Sequence, residues 1–228
     1  MWLFLWVIIV LGAIGFFLWS YHTTFEQKKA WKAYALKFGL AYVGGALLQP
    51  PEMTGEVKNH RVNCYAQAVP DPQGKTRTET VVEVFLNIVP PVPFVVVKPG
   101  FADFLVSINL PKSFVIDDPD WPKAALAQTL EEEQPELWFQ NNKKKISALG
   151  RFFKLPFDTG VIADGDQAFL VIRTPDPLND PRKLNQLVNK MIMLADEIGN
   201  SPIGDQPTMA SPNDDKNTVE PEISAPKE

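Results

Sequence analysis

The first 19 residues constrain this chain most, because they form an unbroken apolar run. Residues 1–19 read MWLFLWVIIVLGAIGFFLW and include no charged side chain. As an α-helix rising about 1.5 Å per residue, the run would be roughly 28 Å long, close to the hydrocarbon thickness of a bilayer. The run therefore predicts a transmembrane helix, with the lipid bilayer as the partner of residues 1–19.

Two other kinds of segment produce similar apolar runs. A cleaved signal peptide has basic residues before its core and small residues at a cleavage site after it. Here no Lys or Arg precedes the run, and Ser20, Tyr21 and His22 follow it. A buried core helix would need apolar neighbours on every side, at the very start of a modest domain. We favour an uncleaved membrane span over both alternatives.

The lysines that follow the run predict its orientation. Lys28, Lys29 and Lys32 lie after the span, whereas the short N-terminal side has no basic side chain. By the positive-inside rule, the N-terminus should lie outside and the C-terminal domain in the cytoplasm.

Composition limits the kinds of partner. The 228 residues carry a net charge of −5, and residues 200–228 account for −4 of it with six acids and two lysines. The body, residues 20–199, is therefore close to neutral and lacks the basic footprint of a nucleic-acid binder. The single cysteine, Cys64, excludes an intrachain disulfide and a cysteine zinc site.

The body alternates strand-like and helix-like patterns, which predicts an α+β fold of antiparallel β-hairpins packed with three or four helices. One hairpin should pair residues 54–57 with 61–69. A second should pair 160–163 with 167–173 across an Asp-Gly turn, the strongest short hairpin signal.

Helices are predicted from start signals and apolar stripes. Thr23 and Glu26 have the spacing of a capping box, Asp120 with Pro122 predicts a helix that includes Leu126 and Leu130, and residues 135–149 read as another helix. Residues 181–198, between Asp180 and Gly199, show the clearest stripe. Two segments, about 23–118 and 120–199, each read as a helix followed by a hairpin, a faint similarity that can arise by chance as well as by duplication. Residues 200–228 lack aromatics and are rich in Pro, Asp and Ser, so we predict a disordered acidic tail.

No motif of a known catalytic chemistry is present, and we expect no cofactor and no metal. His60 falls in a predicted turn and should be exposed, while Cys64 lies on the apolar side of its strand. Asp117, Asp118, Asp120, Asp164 and Asp166 occupy positions where turns and caps favour aspartate.

The most apolar part of the body, residues 92–116, allows two interpretations. We favour the first, in which two strands, 94–97 and 101–110, are joined by Lys98-Pro99-Gly100. The alternative is a loop that dips into the headgroup region of the membrane, assisted by a run of lysines on anionic lipid. Its candidate lipid contacts are Phe94, Phe101, Phe104, Lys143, Lys144 and Lys145.

Three functions follow from these features. The first is a non-enzymatic interaction or scaffold module at the membrane surface, with another membrane protein as a potential partner. The second is a hydrolase-like enzyme whose Asp, Glu and His residues converge only in three dimensions. The third is a lipid-contacting module. The sequence leans away from an enzyme without deciding the question.

Overall fold

The computed structural model describes residues 2–46, 49–70, 76–90, 92–101, 110–130, 138–139 and 143–199. These form three helices and one nine-stranded antiparallel sheet, which confirms the predicted α+β class. The helices are α1 (Trp2–Phe38), α2 (Lys143–Phe153) and α3 (Pro181–Gly199). The strands are β1 (Ala41–Val43), β2 (Glu52–Val57), β3 (His60–Pro70), β4 (Thr76–Phe85), β5 (Phe94–Val97), β6 (Lys112–Ser113), β7 (Leu126–Thr129), β8 (Asp158–Ala163) and β9 (Ala168–Thr174).

The sheet order is β1-β2-β3-β4-β9-β8-β5-β7-β6. Strands β5 and β6, from the first predicted segment, pair with β8 and β7 of the second segment. The two segments thus share one sheet through the β4–β9 pair.

Alternation along the strands gives the sheet two different faces. The inner face presents apolar side chains to all three helices, and Trp31, Phe152 and Leu184 from the three helices are fully buried there. The outer face has a second, smaller apolar cluster of Val81, Val95, Val97, Phe101, Leu110, Ile162 and Val171. The described helices therefore cover one face only, and Phe101 and Leu110 pack on part of the other.

Both predicted hairpins are confirmed. In β2–β3, Val57 pairs with His60 across Lys58 and Asn59, whose φ angles of 52° and 64° belong to a two-residue turn with left-handed backbone. In β8–β9, Ala163 pairs with Ala168, and Gly165 supplies a φ of 98° that few other residues adopt.

The capping box at Thr23 and Glu26 is wrong, because α1 runs without a break from Trp2 to Phe38. The hydroxyls of Thr23 and Thr24 instead donate to the carbonyls of Trp19 and Ser20 one turn earlier, both at 3.0 Å. A threonine can make this bond inside a helix, so its presence alone does not mark a helix start.

The helix predicted from Asp120 through Leu130 is also wrong, because Leu126–Thr129 is strand β7. Its residues pair with β5, Phe94 facing Thr129 and Val97 facing Leu126. Helix propensity is a weak preference, and a free sheet edge beside an apolar strand outweighs it here.

Helix α2 begins at residue 143 and ends at 153, later than the predicted 135–149. Trp138 and Phe139 are helical, but most of residues 131–142 lie outside the described part of the chain. Helix α3 matches its prediction closely. Asp180 caps it by accepting the backbone N–H of Arg182 at 2.8 Å.

Strand β5 (94–97) is confirmed, whereas most of the second predicted strand, residues 102–109, lies outside the described residues. Phe101 closes a 3-10 turn, Pro99–Phe101, directly after β5. Residues 200–228 are also outside the description.

Candidate functional site

Helix α1 has two parts with opposite surroundings. Its apolar side chains from Trp2 to Trp19 are exposed, and by length and composition it is the one helix among the described residues that could cross a membrane. Further along, five residues of the same helix are buried in the domain core: Gln27, Ala30, Trp31, Tyr34 and Ala35. The apolar rod and the domain are therefore parts of one continuous helix.

Contacts beside Lys28 fix the chain to α1 where the helix leaves the domain. The Lys28 ammonium donates to the carbonyl of Ala46, and the Tyr42 hydroxyl donates to the carbonyl of Lys28 at 3.1 Å. Leu40 N–H bonds the Ala35 carbonyl at 2.9 Å. Strand β1 and the residue before it thus run back along the helix and contact it at two positions, Ala35 and Lys28.

An ionic cluster lies on the outer face, where β4 begins and the antiparallel β9 ends. The Glu79 carboxylate, 1% exposed, is 2.7 Å from the Arg77 guanidinium and 2.9 Å from Arg173 Nε. Arg173 also donates to the Gly100 carbonyl and lies over the Phe101 ring, 4.4 Å from its centroid. Because a buried carboxylate needs charged partners, the cluster fixes the 3-10 turn on the sheet.

Lys98 and Asp158 extend this cluster. The Lys98 ammonium donates to the carbonyls of Leu155 and Phe157 at 2.5 and 2.8 Å. Burial lowers the pKa of Lys98, and the nearby Asp158 charge partly opposes that shift. A Cβ on Gly100 would meet the Asp158 carboxylate, so the turn passes directly beside that side chain. These side chains therefore hold the 3-10 turn, Pro99–Phe101, in place.

A polar network crosses the open part of the outer face. Glu83 accepts hydrogen bonds from the Tyr65 hydroxyl at 2.7 Å and the Asn63 amide at 3.0 Å, and the Thr54 hydroxyl donates to the other end of Asn63 at 2.6 Å. Beside it lies a shallow groove of about 420 Å³. Its lining comes from β1, β2 and β3: Ala41, Val43, Glu52, Met53, Thr54, Arg61, Asn63, Cys64 and Tyr65.

Among the described residues, His60 and Asp196 most resemble a catalytic histidine–carboxylate pair, but their hydrogen bonds serve the fold. Contrary to the predicted exposed turn, His60 is 1% exposed and opens β3. Its Nδ1 lies 2.7 Å from the Phe85 carbonyl oxygen and its Nε2 lies 3.0 Å from Asp196 Oδ1. A general base needs one free nitrogen facing a substrate, and both nitrogens are occupied here.

Sequence patterns did not reveal these ionic and imidazole contacts. Glu79 and Arg173 are about 90 residues apart, and Asp196 is on a helix far from His60 in sequence. The only available signal was the alternation of β4, which places Glu79 on the same face as Val81.

The aspartates of the predicted turns bond their own backbone. Asp118 Oδ1 accepts the N–H of Asp120 at 2.8 Å, and Asp164 Oδ1 accepts the N–H of Gln167 at 2.9 Å. Within the described ranges, no group of three or more His, Cys, Asp or Glu side chains is placed to hold a metal ion.

The four candidate lipid contacts that the structure describes are not gathered on one surface. Phe94 and Phe101 are buried in the inner and outer clusters, and Lys145 is buried with its ammonium 4.0 Å from the Trp138 ring centroid. Burial lowers the pKa of Lys145. Phe104 and the Lys143 side chain lie outside the described part of the chain. Of the four candidates that the structure describes, Lys144 is the exposed one. Lipid contact through these residues stays a prediction.

Comparison with known proteins adds little to this picture. No family model and no curated protein sequence matches the chain. Among solved structures, the chain is similar to the crystal structure of the mycobacterial trehalose monomycolate transport factor A, TtfA. The two share 7% sequence identity at a TM-score of 0.44, over 76% of this chain and 93% of that chain. A likeness this distant carries no functional inference.

Proposed function

We propose that this protein is a membrane-anchored, non-enzymatic interaction module, with its α+β domain held rigidly close to the membrane surface. The observation that carries the proposal is the continuity of α1, which joins a bare apolar segment to five core residues without a linker. A flexible tether would let the domain rotate freely. A helix fixed in the core gives the domain one height and one orientation.

The spacing along the helix sets that height. Gln27, the first buried position of the domain, lies eight positions after Trp19, which corresponds to about 12 Å of helix. The headgroup region adds about 5 to 8 Å beyond the hydrocarbon. The domain would therefore stand almost directly on the headgroups. The lysines that follow the apolar segment favour the cytoplasmic side for the domain.

Retention of the apolar segment is the first test. We expect the intact mass of the protein purified from membranes to include residues 1–19, and carbonate washing to leave it in the membrane fraction. A matched variant with Leu11→Arg and Ile14→Arg should move to the soluble fraction, because each arginine at a helix centre disfavours insertion by about 2.5 to 3.5 kcal/mol. A mature chain that begins after Ser20 would disprove the proposal.

Orientation is tested with a membrane-impermeant maleimide. Cys64 is 1% exposed. Burial raises the pKa of its thiol, and the Glu83 charge adds a smaller effect. The maleimide should therefore not label the natural chain. A Lys154→Cys variant adds one exposed thiol. We expect labelling of that variant only after the cells are permeabilised; labelling of intact cells would place the domain outside.

Rigidity is tested by insertion between Thr24 and Phe25. Seven inserted alanines should preserve helical phase and raise the domain by about 10 Å. Seven inserted Gly and Ser residues should instead give a broad distribution of heights. Energy transfer from a dye at Lys154→Cys to headgroup acceptors in nanodiscs measures both. Equal, broad distributions for the natural chain and the Gly-Ser variant would contradict a rigid strut.

A further inference from the structure

The part of α1 beyond the apolar segment has an outward stripe that nothing in the described fold covers. Phe25, Lys29, Lys32 and Leu36 follow one another at spacings of four, three and four residues, which places them on one helix face. Phe25 is 52% and Leu36 75% exposed, and both lysines are exposed. The buried residues of α1, including Trp31 and Tyr34, lie on the opposite face.

This stripe is positively charged. Residues 20–38 contain four lysines and one glutamate, a net charge of +3. Across the part of the chain that the structure describes, no acidic side chain lies within ion-pair distance of Lys29 or Lys32. Lys37 flanks the stripe, with its ammonium 5.2 Å from the Phe38 ring centroid.

Anionic lipid fits only the lower end of the stripe. Along an upright helix, Lys32 and Lys37 stand about 20 and 27 Å beyond Trp19, well above headgroups that extend about 5 to 8 Å. At physiological salt, charges interact appreciably over about 8 Å. A second copy of the chain fits no better, because pairing through this stripe would oppose lysine to lysine.

The C-terminal segment 200–228 has the complementary charge and begins nearby. It has six acids and two lysines, a net charge of −4, and it follows α3, which contacts α1. Near the end of α3, Asp196 reaches His60, which pairs with Val57 at the end of β2. Two residues earlier lies Gly55, where an added Cβ would overlap Leu40, just past the end of α1. Twenty-nine residues could span up to about 95 Å, so reach does not limit the contact.

We propose that the acidic segment 200–228 docks on the outward stripe of α1 and covers Lys29, Lys32 and Lys37. Each exposed ion pair is weak, but attachment to the same chain supplies an effective concentration in the millimolar range. At that concentration a single pair is mostly open, so the contact depends on several pairs forming together. The contact should weaken as salt is raised, because its charges are exposed.

The test compares three proteins, each with the complete helix α1, in a non-ionic detergent at low salt. They are the natural chain, a chain ended at Gly199, and a chain of natural length with the six tail acids changed to Asn or Gln. Acetylation rates of individual lysines are read by mass spectrometry, with exposed Lys154 as the internal control. We expect Lys29, Lys32 and Lys37 to react about threefold faster in both variants than in the natural chain, and Lys154 to be unchanged.

Zero-length carbodiimide crosslinking gives a direct second measurement. We expect links from the tail acids to these three lysines, and mixing isotope-labelled with unlabelled chains should show them within one chain. Links only between different chains would assign the stripe to a second copy. Equal lysine rates in all three proteins would also overturn the proposal. So would protection that appears only when phosphatidylglycerol is added to the detergent and is the same in all three proteins. Detergent makes this outcome independent of whether α1 spans a membrane.

Discussion

At the scale of single residues, two contacts between distant parts of the chain carry much of the fold's specificity. His60 joins the β2–β3 turn to α3, and Glu79 joins two arginines on the outer face. In both cases a polar side chain is about 1% exposed and fully dependent on its partners. Loss of one partner leaves the other buried without a counterpart, which costs more than the contact itself contributes.

We expect His60→Leu to lower the free energy of unfolding by about 2 kcal/mol, because the Phe85 carbonyl would lose its buried partner. Asp196→Asn should cost less than about 1 kcal/mol, since Asp196 is 48% exposed and water can replace the histidine. Urea unfolding measures both. A larger loss for Asp196→Asn than for His60→Leu would argue against a mainly structural imidazole.

For the ionic cluster, Arg173→Met should destabilise the domain by about 3 to 5 kcal/mol, because it strands the Glu79 carboxylate beside one exposed arginine. Adding Glu79→Gln to that variant should restore part of the loss. Guanidinium unfolding of the single and double variants gives the coupling. Strictly additive effects would show that the two side chains do not depend on each other.

At the scale of elements, the turns and caps behave as local chemistry dictates. The β8–β9 turn is held by Asp164, which accepts backbone N–H groups of Asp166 and Gln167 at 3.2 and 2.9 Å. Slight burial tends to raise the pKa of Asp164, but hydrogen bonds from Gln167 and Asp166 outweigh it and hold the pKa below its usual range.

A depressed carboxyl pKa stabilises the fold above the unfolded-state pKa of about 3.9, and the contribution is lost as pH falls through the folded-state value. Asp164→Ala should therefore cost less than about 1 kcal/mol at pH 7, an exposed-site value. The gap between the two proteins should close towards pH 2. Thermal unfolding across that range checks the prediction, with Asp166→Ala as the matched control. A gap that persists at pH 2 would contradict it.

At the scale of the whole molecule, α1 belongs to two environments at once. Its last third supplies the buried Trp31 and Tyr34 of the inner core, while its first half extends away from the domain. The apolar segment therefore cannot be separated from the domain at the end of the helix. It can be separated only within the exposed stretch before Gln27.

We therefore expect a chain beginning at Ser20 to fold as a soluble domain, and one beginning at Gly39 to fail. Loss of Trp31 alone is worth about 3 to 5 kcal/mol, a large part of a typical domain stability. Circular dichroism and thermal unfolding distinguish the two chains. Folding of the shorter chain with an unchanged midpoint would show that α1 is dispensable to the core.

Local patterns in the sequence determined the apolar segment, both hairpins, helix α3 and the α+β class, because each depends on neighbours within about 20 residues. Tertiary structure decided the rest. It extended α1 through Thr23, turned residues 126–129 into a strand at the edge of β5, buried His60, and brought Glu79 to Arg173. The physical reason is that burial, pairing and ionic contacts between distant segments outweigh local preferences of about 1 kcal/mol or less per residue.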